Sequence, residues 1–362
     1  MKKRILSILL LCCMVLTLLP TTAFAADESP AVTNVTVTFD SDGGSAVAPQ
    51  QVLQGQKVQR PADPIKEGHT FIGWYNKADL QYINLPEWNF DYPVFENMEL
   101  EAQWMEARPI STDPITYLDK DGNQQVCTAY TVLTSETKAS ILDYADKWYD
   151  LPAGWYVVEG DVTITPRLDT HGAVNLILTN GSHLTAEWGI DVKVGDTFTV
   201  YAQSTDEGTM GRLTACLPVD FNLDRMVHYS VWPDFGMAGI GSSARWRAGN
   251  DGIYESEGTI IINGGNIHAR GQQGSSAIGG SYQDRNVSSD GDTPGNLRQG
   301  GSITINGGIV CTELRTSGGA HTADSFGIGT CYGNGGSVTI NGGTIIAEAS
   351  SSAISSGCLL YT

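Results

Sequence analysis

One ten-residue phrase, met three times, constrains this chain more than any other feature. Gly258-Thr259-Ile260-Ile261-Ile262-Asn263-Gly264-Gly265-Asn266-Ile267 returns as Gly301-Ser302-Ile303-Thr304-Ile305-Asn306-Gly307-Gly308-Ile309-Val310 and as Gly336-Ser337-Val338-Thr339-Ile340-Asn341-Gly342-Gly343-Thr344-Ile345. The asparagines stand 43 and 35 residues apart, within the range of stacked repeats. Before each corner Ile260/Ile262, Ile303/Ile305 and Val338/Ile340 alternate with other residues, and after it Ile267/Ala269, Val310/Thr312 and Ile345/Ala347 do the same. Strand side chains swap faces at every residue, so these sets all point inward and stack into one core. Asparagine tolerates left-handed backbone and glycine adopts it without penalty. Asn263, Asn306 and Asn341 are therefore read as corner residues that hydrogen-bond up the stack, not as ligands. A short further strand follows at Ala277-Ile278-Gly279, Gly327-Ile328-Gly329 and Ala353-Ile354-Ser355, with an earlier Gly239-Ile240-Gly241.

Upstream, the pattern predicts short strands at 155–158, 162–165, 174–178, 183–186, 198–202 and 212–215, separated by turn dipeptides such as Asn180-Gly181 and Gly195-Asp196. With 42 glycines and only 17% charged residues, the composition is rich in strands and turns. The fold class predicted is all-β dominated, a small module followed by a right-handed parallel β-helix over residues 154–357. A β-sandwich is the alternative, yet a sandwich has no need of the same corner three times. The repeat region resembles the glycine-rich β-helical region of secreted and wall-attached proteins of gut Firmicutes, some of them carbohydrate-binding. That resemblance speaks to fold more than to function.

The N-terminal part is of another kind. Lys2, Lys3 and Arg4 precede an apolar run from Ile5 to Leu19, and Ala23-Phe24-Ala25 has the small-x-small form of a cleavage site, so residues 1–25 read as a secretory signal. No later stretch has the length of apolar sequence that a membrane span requires. The formal charge is −19, which argues against nucleic acid and anionic lipid as partners. Two of the seven cysteines lie in the signal, and Cys127, Cys216, Cys311, Cys331 and Cys358 are too scattered for a disulfide framework or a metal motif. The six histidines are scattered too, so zinc finds no support.

Val35, Val37 and Phe39 alternate with Thr36 and Thr38 before the turn Asp40-Ser41-Asp42-Gly43-Gly44, which reads as a half-buried strand. Gly68-His69-Thr70-Phe71-Ile72-Gly73-Trp74-Tyr75 and Leu100-Glu101-Ala102-Gln103-Trp104 add two more. Together with Gly55 and Pro61, this order resembles the Listeria-Bacteroides repeat of the internalin B-repeat type. The resemblance covers 35 to about 107 and implies a β-grasp-like spacer of bacterial surface proteins, often adhesins, without a catalytic role. Trp74 and Trp104 are expected to fill its small core rather than stack on sugar.

Residues 33–107 are thus one domain, and 108–153, with Pro109 and Pro114 near its start, a linker and cap. Within it Asp119-Lys120-Asp121-Gly122-Asn123 matches half of a calcium loop but lacks the remaining ligands, and a hairpin turn fits better. Residues 134–149 carry apolar side chains at helical spacing, which predicts a short amphipathic helix or an irregular cap. The last rung lacks a polar cap, so the chain is read as incomplete at its end. Residues 358–362 are read as sequencing-adapter read-through, since TGT CTC TTA TAC ACA encodes them.

The expected function is that of a secreted or cell-wall-associated, non-catalytic, adhesin-like surface protein whose β-helix binds carbohydrate. Its partners would be glycan, mucus or another cell. A polysaccharide lyase or glycoside hydrolase is the first alternative, and a structural wall or biofilm component the second. The enzyme reading lacks the clustered aspartates or Gly-His-Gly segment that such β-helix enzymes resemble one another in. Candidate ligand contacts are Trp232 and Trp246, near Tyr229, Phe235, Arg245 and Arg247, although a hydrophobic cover over one edge is the favoured reading. The loop 281–299 is a second place where binding function would sit. Arg270, Glu313 and Glu348 occupy equivalent repeat positions and face solvent on successive rungs. Two stacked glutamates repel, which would raise the pKa of one, and the arginine opposes that shift. We read this column as a solvated charged edge, with a cation or sugar site as its alternative. No cofactor is expected, and calcium has only these carboxylates and the half loop to draw on.

Overall fold

The computed structural model describes residues 33–80, 87–136, 148–216, 238–242, 244–246, 252–254, 257–271, 275–280, 301–314, 326–329, 336–348, 352–355 and 358–361. The chain is nearly all β, and no α-helix occurs among the described residues.

The first unit contains β1 (Asn34–Asp40), β2 (Gln50–Leu53), β3 (Gln56–Lys57), β4 (His69–Asn76), β5 (Pro93–Val94) and β6 (Met98–Glu106). Four of these form a sheet of order β2-β1-β6-β4, in which β1 runs parallel to β6 and the other pairs are antiparallel. Alternation places Val35, Val37 and Phe39 on its buried face with Leu100, Ala102 and Trp74. Phe39 and Phe71 meet Trp74 edge-on at 5.0 and 5.5 Å, the geometry that ring quadrupoles favour. Trp74 is thus core, as its alternating strand predicted. Trp104 closes the edge, donating its indole N–H to the Ser41 carbonyl at 3.1 Å.

A hairpin follows, β7 (Ile115–Leu118) with β8 (Gln124–Cys127), paired antiparallel. Its turn is held by Asp119, whose Oδ1 accepts the Asp121 and Asn123 amides at 3.0 and 2.9 Å. Asp119 therefore organises a turn, and the half calcium loop is a hairpin.

From β9 (Thr131–Val132) and β10 (Trp148–Val158) onward, three parallel ladders are visited in cyclic order. The first ladder starts with the N-terminal half of β10, pairs it with the N-terminal half of Arg167–Leu178, and continues through Ile190–Asp191, Ile240–Gly241, Ile278–Gly279, Phe326–Gly329 and Ser352–Ser355. The second ladder joins β9 to the C-terminal half of β10, then that of Arg167–Leu178, then Thr197–Ala202, Thr259–Ile262, Ser302–Ile305, Ser337–Ile340 and Cys358–Tyr361. The third comprises Asp161–Ile164, His183–Ala186, Arg212–Ala215, Asn266–Gly271, Ile309–Leu314 and Thr344–Ala347.

One continuous core lies between the ladders. Ile260, Ile262, Ile267, Ile303, Ile305, Val310 and Val338 are all buried in it, beneath Leu168, Leu176, Leu184 and Phe198 of the earlier circuits. Each such aliphatic side chain contributes about 1.5–3 kcal/mol when fully buried. At the corners Gly265, Gly308 and Gly343 take φ of 95°, 86° and 92°, a region that disfavours any residue with a Cβ. In the first ladder Gly241 and Gly279 stack so closely that a Cβ on Gly241 would lie 1.9 Å from the Gly279 carbonyl oxygen. Only glycine fits there.

The structure differs from the expectations at two places. Parallel pairing begins at Thr131–Val132 against β10, ahead of residue 154, and Tyr149 and Leu151 already face the core beside Leu168. The helix or irregular cap expected over 134–149 runs into strand at Trp148, and its segment 137–147 lies outside the described residues. Residues Cys358–Tyr361 pair in parallel with Ser337–Ile340 in the second ladder. Cys127, Cys216 and Cys311 are free thiols.

Candidate functional site

The hairpin β7/β8 lies on the outer side of the second ladder, where Cys127 and Tyr130 are buried with Val157 and Ile177. At its margin three partly exposed rings meet. Trp155 and Tyr201 stack at 5.2 Å with 27° between their planes, and Tyr117 of the hairpin approaches them at 5.0 and 4.8 Å. Strand alternation explains the placement: Tyr156 and Val158 face the core, so Trp155 and Val157 face out. An open groove of about 220 Å³ adjoins the rings, lined by Tyr117, Val126, Cys127, Thr128, Ala129 and Trp155. Burial raises the pKa of the Tyr117 and Tyr201 phenols, keeping both neutral and able to donate.

Below this shelf the corner asparagines form a ladder of their own. Asn306 Nδ2 donates to Asn263 Oδ1 at 2.7 Å, and Asn341 Nδ2 donates to Asn306 Oδ1 at 2.7 Å.

On the third ladder Arg270 and Glu313 are register partners. Arg270 Nε donates to Glu313 Oε2 at 3.0 Å, its Nη2 bonds to the same oxygen, and His268 Nε2 lies 3.0 Å from Oε1. The Arg270 hydrogen bonds, helped by His268 and opposed by desolvation, hold the Glu313 carboxyl below its usual range. The expected rise from glutamate repulsion is not seen at Glu313, where the bonds to Arg270 and the charge of His268 prevail. Trp232 lies outside the described residues. Trp246 ends a short antiparallel pair, Ala244–Trp246 with Gly252–Tyr254, and its side chain is outside the description.

A charged cluster absent from the expectations lies on the outer side of the first ladder. Asp150, Asp169 and Asp191 are register partners on successive rungs. His171 Nε2 is 2.9 Å from Asp150 Oδ1, Lys193 Nζ is 2.7 Å from Asp169 Oδ1, and Arg167 reaches Asp191 at 3.5 Å. Arg167 also donates to the carbonyls of Trp188, Ile190, Ala238 and Gly241, pinning three rungs together. Burial opposes charge on His171 and Asp150, but their mutual hydrogen bond and attraction outweigh it, so His171 is raised and Asp150 lowered. The ligand-capable atoms of Asp150, Asp169 and His171 lie within 4.8 Å of one another, a spacing that a metal ion could bridge. Lys193 already supplies positive charge to that carboxylate, so we read the cluster as an ion-pair network. It sits where the first unit meets the ladders. Arg108 donates to the Asp150 carbonyl at 2.8 Å and covers the Tyr149 ring, and Tyr75 of β4 feels the charges of Asp150, Asp169 and Lys193.

Comparison with known proteins decides the nature of the first unit. Residues 36–103 match the Listeria-Bacteroides repeat domain. This repeat domain is the sheet built around Trp74. Two proteins of Evansella cellulosilytica are similar to parts of the chain. One, named "Putative membrane protein", is 39% identical over 74 residues, which is 20% of this chain and 10% of its own length. The other, named "Putative Gly-rich membrane protein", is 29% identical over 168 residues, or 43% of this chain and 18% of its own length. The chain thus spans less than a fifth of either relative. No solved structure matches it. The repeat domain and the membrane-named relatives point to a cell-surface protein. No helix among the described residues is long and apolar enough to cross a membrane.

Proposed function

We propose that this is an exported, non-catalytic surface protein whose ladders form a right-handed parallel β-helix that binds carbohydrate. Right-handedness follows the near-universal preference of parallel strand crossovers. The observation that carries the binding reading is the Tyr117–Trp155–Tyr201 shelf. A sugar ring has an apolar face of C–H groups and a rim of hydroxyls, and a partly exposed aromatic ring offers a flat apolar partner for that face. The Tyr117 and Tyr201 hydroxyls add polar contacts beside it. Glycosidic cleavage would need two carboxyl groups set across the bond. Asp119, whose charge reaches both tyrosines, is instead engaged by its own turn and by the Gln125 amide.

The test is a glycan-array screen of mature residues 26–362, with and without calcium. Retention of at least one glycan is expected, weakened about tenfold or more by Trp155→Leu, a loss of about 1.4 kcal/mol. The pair Glu313→Gln and Glu348→Gln should leave it unchanged. Absence of any bound glycan, or binding indifferent to Trp155→Leu, would overturn the reading.

A further inference from the structure

We propose that the outer face of the second ladder, continuing from the aromatic shelf, docks an extended neutral polysaccharide. The proposal rests on the carbohydrate reading above and names the ligand class and the surface it covers. Three successive strands present the same kinds of group. Thr259, Ile261 and Asn263 form one row, Ser302, Thr304 and Asn306 the next, and Ser337, Thr339 and Asn341 the third, with the strand residues in register. All nine are partly or fully exposed, whereas the residues between them, Ile260, Ile262, Ile303, Ile305 and Val338, are buried. Rows in a sheet stand about 4.8 Å apart, and alternate residues within a row about 6.6 Å apart, so eight polar groups and one methyl-rich side chain form a flat grid.

The grid is held rigid before any ligand arrives. Ser302 Oγ donates to Thr259 Oγ1 at 3.2 Å, and the asparagine ladder links all three rows. A primary amide has two N–H donors and two acceptor sites, and the ladder engages one of each on Asn306. Side chains fixed in this way lose little freedom on binding.

Charge selects the partner. None of the nine positions is ionisable, in a chain that carries a net −19. A polyanion would be repelled by the whole molecule, and a polycation would find no carboxylate in the grid. A neutral chain of hydroxylated rings suits both conditions. Tyr201 leads into the same line of side chains, since Val200 pairs with Ile262 and the Asn263 amide donates to the Val200 carbonyl at 2.9 Å. A polymer that places one ring on the shelf can thus run down the axis and meet row after row. Each contact is weak, so affinity should grow with the number of rows spanned.

The experiment compares the mature chain with a grid variant, Thr304→Lys with Thr339→Lys, and with Thr304→Val, which removes a hydroxyl while keeping shape. Probes are insoluble cellulose, chitin and xylan, soluble hexasaccharides and disaccharides of each, and polygalacturonate. Wild type should bind a neutral hexasaccharide about tenfold or more tighter than its disaccharide. The lysine variant should lose that advantage while its disaccharide binding at the shelf is unchanged, and Thr304→Val should lose part of it. Equal affinity for the two lengths, full polymer binding by the lysine variant, or preference for polygalacturonate would overturn the grid and leave the shelf standing. Binding of no probe by wild type would overturn the carbohydrate reading and the grid together.

Discussion

Replacing Asp196 by asparagine should stabilise the ladders at neutral pH and have little effect near pH 4. Asp196 sits between Ile190–Asp191 and Thr197–Ala202, where its Oδ1 accepts the Gly172 amide at 2.6 Å and its Oδ2 lies 3.2 Å from the Thr170 hydroxyl oxygen. Burial pushes its pKa from 3.8 up to about 6, and the attraction of Lys193 and the Gly172 hydrogen bond only partly offset that. The folded state therefore binds this proton more tightly than the unfolded chain does. Its contribution is fully present below about pH 4 and is lost as pH rises through about 6. A shift of about two units corresponds to about 3 kcal/mol lost by pH 7. Asparagine has no proton to release. Its carbonyl can still accept from Gly172, and its amide can donate to Thr170, whose own proton goes to the Asp191 carbonyl at 2.9 Å. That shift already includes the Lys193 attraction, so the net gain expected at pH 7 is about 3 kcal/mol. Urea unfolding of both proteins at pH 4, 5.5 and 7, followed by far-ultraviolet circular dichroism, measures the difference. His171 and Asp150 titrate in both proteins and largely cancel. If the two unfolding curves kept a constant separation at all three pH values, the argument from burial would be refuted.

Asn306→Ala removes both bonds of the asparagine ladder and should cost about 1–2 kcal/mol, while Asn341→Ala, at the end of the ladder, should cost about half as much by the same urea assay. Gly279→Ala should abolish soluble expression, because its Cβ would lie 2.1 Å from the Gly329 carbonyl oxygen; Gly181→Ala, with φ of 74° but nothing near its Cβ, should cost only about 1–2 kcal/mol. Residues 33–107 expressed alone should show one cooperative thermal transition with Trp74 becoming exposed, and a featureless melt would show that the repeat domain depends on the ladders.

Features encoded by neighbouring residues could be read from the sequence. Alternation around each Asn-Gly-Gly corner assigned Ile262, Ile305 and Val310 to the core, because strand geometry fixes the facing of every second residue. The Asp119 turn and the burial of Trp74 followed from equally local chemistry. What escaped is assembled across circuits of unequal length. Asp150, Asp169 and Asp191 share no common flanking motif, and their alignment depends on where each circuit closes. The shelf has the same origin: Tyr117 comes from a hairpin outside the ladders, and Trp155 and Tyr201 stand on different circuits. Local aromatic density drew attention to Trp232 and Trp246 instead. At Glu313 the opposing pull of Arg270, which the column showed, prevails, and His268, two residues before Arg270, leans into the same carboxylate from outside that column.

The constancy of the Asn-Gly-Gly corner has a consequence for how such a molecule can change over generations. Between the second and third ladders the last three circuits turn in the same few atoms, with each glycine packed against the carbonyl of the one before. The chain between the third and second ladders, on both sides of the first, varies freely in length, from the brief link at residues 187–189 to the long segments 216–239 and 280–301. In those last three circuits the differences in length fall on one flank. A lineage can rewrite that rim, acquiring or discarding decorations there, while the opposite edge of the three circuits serves as an unvarying keel that keeps their rungs in step.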